Sequence, residues 1–439
     1  MRTTLLILFF VAIAFAKSYK VFHMTDIHME EKYTVGAPAS CAQKPCCRPD
    51  SVQNGTRVAG KWGDDNCDNS PAFIEESMRW FRHYFDTNPS EKPDWIMVTG
   101  DEAIHGSKSR QSQEINLHAS KSVFGLVKEI FNDYIIVPTF GNHDTYPEGH
   151  MLTPPNNTWM TYPMAEFWDS WVPSEQVENV KKGGYYTKLV ADKWRVIVLN
   201  CLWEYTTNTE VEPLEDPADQ NAFLKQWLEY SRQNNETVWV LAHIPTGSSV
   251  FNKYNIMYSE LMAEYKDVVR ATFSGHTHVD EFYVVRDVHN EEKTPLSVNF
   301  VTAALEGYGG NNPGAKLYTY DDETKDITNF VSWEGDFNRM NKENKFYWTP
   351  YFNALDAMKL KDLSPVSVIE WANRMFDDDE LFQDYMTHYH VGRYERGSCK
   401  DSCKINAICK ILFNEKDAKK ACVESRGNFM VEPDLAIEN

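Results

Sequence analysis

Between residues 21 and 278, five short apolar runs each end in a cluster of Asp, His, Asn and Gly. Val21-Phe22-His23-Met24 is followed by Asp26-Ile27-His28, and Trp95-Ile96-Met97-Val98-Thr99 by Gly100-Asp101-Glu102-Ala103-Ile104-His105. Tyr134-Ile135-Ile136-Val137 leads, through Phe140, to Gly141-Asn142-His143-Asp144. Val238-Trp239-Val240-Leu241 leads to Ala242-His243-Ile244-Pro245, and Thr272-Phe273 to Gly275-His276-Thr277-His278. Such runs, with Arg195 to Leu199, read as buried strands. Helical patterns lie between them. Ser70-Pro71 offers a cap and a first-turn proline for a helix reaching about Phe85, and others run roughly from Ser109 to Phe131 and from Asp219 to Gln233. Strand–helix alternation points to α/β layers. In such sheets the carboxyl ends of strands share an edge where ligands gather. The topology therefore brings the five motifs to one site.

The rest of the chain divides by texture. Arg2, the apolar run Leu5 to Phe15 and Ala14-Phe15-Ala16 form a signal peptide, 1–16, with Lys17 as the mature start. No other segment is apolar for long enough to span a bilayer, so the mature protein is expected to be soluble. Residues 36–69, rich in Gly, Pro, Asn and Cys, read as a disulfide-braced insertion. From Phe282 to Trp333 strand follows strand, which predicts an antiparallel extension. Residues 365–420 read as helices, so 17–344 is expected to be the main domain and 345–439 a small helical subdomain stapled by disulfides.

Nine cysteines fall into Cys41, Cys46, Cys47 and Cys67, then Cys399, Cys403, Cys409 and Cys422, with Cys201 alone. Behind a signal peptide, two groups of four read as disulfides, zinc ligation being the alternative. Cys201 lies in an apolar run and reads as a buried free thiol. Sequons at Asn54, Asn156 and Asn235 fit the same compartment. The net charge of −20 becomes −21 when Arg2 leaves with the signal peptide. Such a surface repels nucleic-acid polymers and anionic membranes. A site made positive by bound cations still accepts a single phosphate.

Each motif alone has a plain structural reading. Gly-Asn-His-Asp suits a turn, and a lone His243 suits a satisfied core histidine. Together they supply carboxylate, imidazole and amide donors suited to Zn, Mn or Fe. D-x-H and H-x-H place two donors on one side of an extended segment. His23, His118, His150, His388 and His390 stand outside the motifs and read as structural.

The order D-x-H, G-D, G-N-H-D, H and G-H-x-H resembles the calcineurin-like metallophosphoesterase superfamily. His105, four residues after Asp101, and the two cysteine groups make the chain similar to its acid sphingomyelinase-like phosphodiesterase branch, in the form without a saposin domain. That resemblance implies a four-layer sandwich: two central mixed β-sheets flanked by helices. It implies two Zn2+, or other divalent transition metals. Asp26, His28 and His278 would hold one, Asn142, His243 and His276 the other, and Asp101 would bridge them. It implies the pairs Cys41–Cys46, Cys47–Cys67, Cys399–Cys403 and Cys409–Cys422. The expected activity is hydrolysis of phosphodiester or phosphoanhydride bonds by water activated between the cations. His143 is the first candidate to protonate the leaving group, with Asp144 orienting it; His105 is the second. The expected substrate is a small phosphodiester: a nucleotide, a CDP-choline-like diester or sphingomyelin. The chain passes almost directly from signal peptide to D-x-H, so no lipid-presenting domain is expected. It is expected to be a secreted or lysosomal monomer with at most peripheral membrane contact. Ile104 stands where the branch usually has proline, and where a purple acid phosphatase would need a metal-binding tyrosine. A secreted acid phosphomonoesterase, or a binding protein with a dead site, is the alternative. All seven metal-donor residues are present, which argues against the dead site.

Overall fold

The computed structural model describes residues 19–106, 110–247, 249–287, 293–413 and 415–427. The signal peptide, Lys17 and the expected helix start at Ser109 lie outside the described residues. The strands, in chain order, are β1 (Tyr19–Met24), β2 (Trp95–Val98), β3 (Ile135–Pro138), β4 (Tyr186–Ala191), β5 (Trp194–Val198), β6 (Thr237–Leu241), β7 (Val269–Ser274), β8 (Glu281–Arg286), β9 (Pro295–Val301), β10 (Gly314–Tyr320), β11 (Ile327–Glu334) and β12 (Thr349–Asn353). They form two six-stranded mixed sheets, ordered β12-β11-β10-β1-β2-β3 and β4-β5-β6-β7-β9-β8. β1, β2 and β3 run parallel, as do β5, β6, β7 and β9.

The sheets face each other across an aromatic layer. Trp95 of β2 meets Trp194 of β5 and Trp239 of β6 at 5.5 and 5.6 Å, and Tyr318 of β10 meets Phe273 of β7 at 5.1 Å. All five rings are fully buried, and each contributes roughly 1.5–3 kcal/mol of burial. The helix Pro71–Thr87, capped by Ser70 as its sequence predicts, covers the first sheet; Phe81 lies 4.6 Å from Phe22 of β1. On the outer face of the second sheet, Leu224, Leu228, Leu261 and Met262 of the helices Gln220–Gln233 and Asn252–Glu264 join one apolar cluster with Val238 and Val240. The four-layer α/β sandwich is therefore present. The helix expected from Ser109 begins at Gln113, where the Ser112 side chain accepts from Ile115 N–H.

The antiparallel extension expected for Phe282–Trp333 needs correction. β8 and β9 form an antiparallel pair, but β9 inserts beside β7 and runs parallel to it. β10 and β11 cross to the other sheet. Strand periodicity reports burial on each face and carries no direction, and β9 is buried along Ser297–Val301.

Beyond residue 345, β12 adds an edge to the first sheet. The helices Pro365–Asp377 and Asp379–Tyr389 then pack on β8 and β9, with Phe282 stacked 5.4 Å from Trp371. All four disulfides form in the pairing the resemblance implied. No thiolate of either group is left for zinc. Cys201 is free and buried, and burial pushes its thiol pKa up. Among the described residues no helix is long and apolar enough to cross a membrane.

Candidate metal centre

Every motif lies just past the carboxyl end of a strand: Asp26 and His28 after β1, Asp101 after β2, Asn142 after β3, His243 after β6, His276 and His278 after β7. Main-chain bonds lace these loops together. Asp26 N–H donates to Gly100 O and His28 N–H to Asp101 O, at 2.9 and 3.0 Å, and Gly275 N–H donates to His243 O at 2.9 Å. The motif glycines are required by close approach. A Cβ on Gly141 would lie 2.1 Å from Asp101 Oδ1, and one on Gly275 2.0 Å from Thr25 Oγ1 and 2.4 Å from Asp26 Oδ2. Asp26, His28, Asp101, His276 and His278 hold left-handed backbone, with φ from +44° to +71°. Each such residue costs roughly 1 kcal/mol or more and recurs at functional sites.

The seven predicted donors converge. Asp101 Oδ2 lies 3.0 Å from His243 Nε2 and 3.8 Å from His28 Nε2. Asn142 Oδ1 lies 3.1 Å from His243 Nε2 and 2.8 Å from His276 Nδ1. His278 Nε2 lies 3.3 Å from Asp26 Oδ1. Donors that share a cation at bond lengths of about 2.0–2.2 Å stand about 3–3.5 Å apart, so these separations suit a divalent transition metal. Two groups, Asp26/His28/Asp101 and Asp101/His243/His276, each bring donor atoms within 4.8 Å of one another, and Asp101 belongs to both. His28 Nε2 and Asp101 Oδ2 are buried with no hydrogen-bond partner among the described residues. Nδ1 of His28 is bonded to Ala103 O at 2.7 Å and Nδ1 of His243 to Thr99 O at 2.6 Å. A carbonyl only accepts, so both protons sit on Nδ1 and both Nε2 lone pairs point at the site. Burial opposes the charge on His243, but Asp101 and then Asp26 lift its pKa to about 9, so a cation bound at Nε2 would displace a proton from it. These carboxylates and imidazoles, fixed in the tautomers a metal needs, fit a two-cation centre.

The candidate proton donors flank this set. The rings of His105 and His28 stack at 4.0 Å, and those of His105 and His143 stand 4.3 Å apart. Asp68 holds His105 twice, accepting from its backbone N–H and lying 2.9 Å from its Nδ1. Burial works against the His105 charge, but Asp68 more than offsets it and raises the pKa. Burial, then His105, push His143 down to about 3. Asp144 does not orient His143, contrary to expectation. Its carboxylate accepts from the backbone N–H groups of Asp101, Glu102, Ala103 and Gly141 at 2.7–3.2 Å, so it braces the bridging aspartate's loop. The carboxylate of Glu148 lies 3.3 Å from His143 Nε2.

Several residues here escape the motif reading. Asp68 follows Cys67, whose disulfide anchors the insertion beside the site. Tyr308 places its ring 4.8 Å from His105, and Tyr205 places its ring 5.7 Å from His276. Glu306 is buried with both carboxylate oxygens unpartnered among the described residues. Burial, then Asp68, Asp26 and Asp101, push its pKa well above the usual range. Its signal was the one that found the others, an apolar stretch after a strand ending in an acid, but without a histidine to mark it. His23, His118, His150, His388 and His390, read as structural, stay outside the cluster. His23, for example, is satisfied between Thr99 and Thr302 at 2.7 Å each.

The calcineurin-like phosphoesterase family model matches residues 19–280, and that of the acid sphingomyelin phosphodiesterase C-terminal region matches residues 294–428. The chain is 29% identical to sphingomyelin phosphodiesterase B of Dictyostelium discoideum, over 89% of this chain but only 63% of that relative's length. It is 27% identical to acid sphingomyelinase-like phosphodiesterase 3b of Mus musculus, over 97% and 94% of the two chains. It is 26% identical to a cyclic GMP-AMP phosphodiesterase of Bos taurus, over 89% and 87%. With the strand-end motifs gathered at one sheet edge and the first of these matches covering more than half its length, the chain belongs to the calcineurin-like phosphoesterase family.

Proposed function

We propose that this protein is a secreted or lysosomal metal-dependent phosphodiesterase acting on a small phosphodiester or phosphoanhydride. The observation that carries the reading is the convergence of seven donors from five strand ends, with Asp101 at their centre. Asp26, His28 and His278 would hold one cation, Asn142, His243 and His276 a second, and Asp101 both, with zinc the metal the imidazole-rich set favours. Two such cations, when bound, activate a water and offset charge on the phosphoryl oxygens.

The chain's own residues do the rest. His276 N–H donates to both oxygens of Asp26, and His143 N–H donates to Asp101 Oδ1 at 2.7 Å, which fixes the carboxylates. His105, held at Nδ1 by Asp68, presents Nε2 as the better-anchored proton donor for a leaving alkoxide. His143 shares this side of the site. The named substrates of the relatives, sphingomyelin and a cyclic dinucleotide, support a diester. Four disulfides support an oxidising compartment. The acidic surface argues against polymeric nucleic acid.

Hydrolysis of bis-p-nitrophenyl phosphate against p-nitrophenyl phosphate, with and without chelator, tests the class. The expected result is chelator-sensitive turnover with preference for the diester. Preference for the monoester would make the protein a phosphatase, and no chelator-sensitive turnover of either would make it a binding protein. Nucleotides, CDP-choline and micellar sphingomyelin then rank the leaving groups.

A further inference from the structure

Glu306 follows β9 at the end of Thr302-Ala303-Ala304-Leu305. Leu305 N–H donates to Thr25 O at 2.9 Å, which ties this segment to the loop bearing Asp26. A fully buried carboxylate without hydrogen bonds is costly, so the groups around it account for its presence. Oε1 lies 3.3 Å from His278 Nδ1, 3.5 Å from His105 Nδ1 and 3.8 Å from His28 Nε2. Two of these nitrogens have other roles: His105 Nδ1 faces Asp68, and His28 Nε2 faces Asp101. His278 is different, because its Nε2 faces Asp26 while its Nδ1 faces Glu306.

We propose that Glu306 is a positioning residue of the metal centre. It accepts a hydrogen bond from the Nδ1–H of His278, fixes the ring with Nε2 toward Asp26, and strengthens that nitrogen as a metal ligand. At the other cation position the outer nitrogen of His243 is bonded instead to a carbonyl oxygen, that of Thr99. The two positions are therefore unequal, and Glu306 acts on the one shared by Asp26, His28 and His278. This inference rests on the metal-centre reading.

The test titrates chelator-stripped wild type, Glu306→Ala and Glu306→Gln with Zn2+ against a competing chelator, and with Co2+ followed by its visible spectrum. A thermal melt in chelator checks that each variant folds. Wild type is expected to bind two equivalents. Glu306→Ala should lose about 10–100-fold in affinity at one position only, the size of effect such outer partners have, with a changed Co2+ spectrum. Glu306→Gln, which still accepts from Nδ1–H, should recover most of the loss. Unchanged affinity and spectrum in folded Glu306→Ala would overturn the proposal. So would a whole equivalent lost alike in both variants, which would make Glu306 a ligand. A wild type that binds no metal would instead overturn the metal-centre reading itself.

Discussion

At the strand ends, five of the seven donor residues hold left-handed backbone and three glycines, Gly100, Gly141 and Gly275, admit no Cβ. In residues 365–427 the helices Pro365–Asp377 and Asp379–Tyr389 start on ordinary caps, Ser364 and Asp378, and two short disulfides hold the end of the segment. The site edge also buries Asp26, Asp101 and Glu306 side by side, while the C-terminal segment buries apolar side chains. The first region works against stability to place charges; the second only stabilises. Removing a buried charge at the edge should therefore lower activity without lowering stability, and opening a C-terminal disulfide should lower stability without lowering activity.

The largest effect is expected at Asp101. Asp101→Asn removes the carboxylate both cation positions share and should lower diester hydrolysis by about three orders of magnitude, several kcal/mol of transition-state stabilisation. The melting temperature in chelator should not fall, because a buried charge has been removed. A fall in both would break the contrast. Next comes the opposite case. Cys409→Ser with Cys422→Ser opens a 13-residue link and should cost about 3 kcal/mol in denaturant melts. kcat of the folded fraction should stay unchanged.

Glu204 gives a pH-resolved version. Burial first lifts its carboxyl from 4.5 to about 7. A folded pKa above the unfolded one means stability that is fully present below about 4.5 and lost as pH rises through 7. Glu204→Gln should melt with wild type at pH 4.5 and above it at pH 8. At 1.36 kcal/mol per unit the gap is at most about 3 kcal/mol, and parallel melts across that window would refute the assignment. The smallest effect is Gly275→Ala. Its Cβ contacts should cost about 1–3 kcal/mol and also displace Asp26, so it should lower both melting temperature and turnover.

The two regions were unequally legible in the sequence. The helix cap Ser70 is a local signal and was readable at once, as were the buried strands preceding Asp26 and Asp101. The site was readable because its residues come in pairs and after strands. Glu306 and Asp68 were missed because each is a single acid whose meaning comes from a histidine far away in sequence. Asp144 was misread because a His-Asp neighbour pair looks like a donor and its orienter, whereas the fold turns that carboxylate toward four backbone N–H groups. The direction of β9 was hidden for a different reason: alternation of side chains is the same in either sense of the strand.

The central claim is that Asp101 joins two cation positions, and metal stoichiometry tests it most directly. Chelator-stripped protein reconstituted with Zn2+ and freed of excess should carry two equivalents per chain, and Asp101→Asn should bind markedly less. No bound transition metal in the folded wild type would contradict the account.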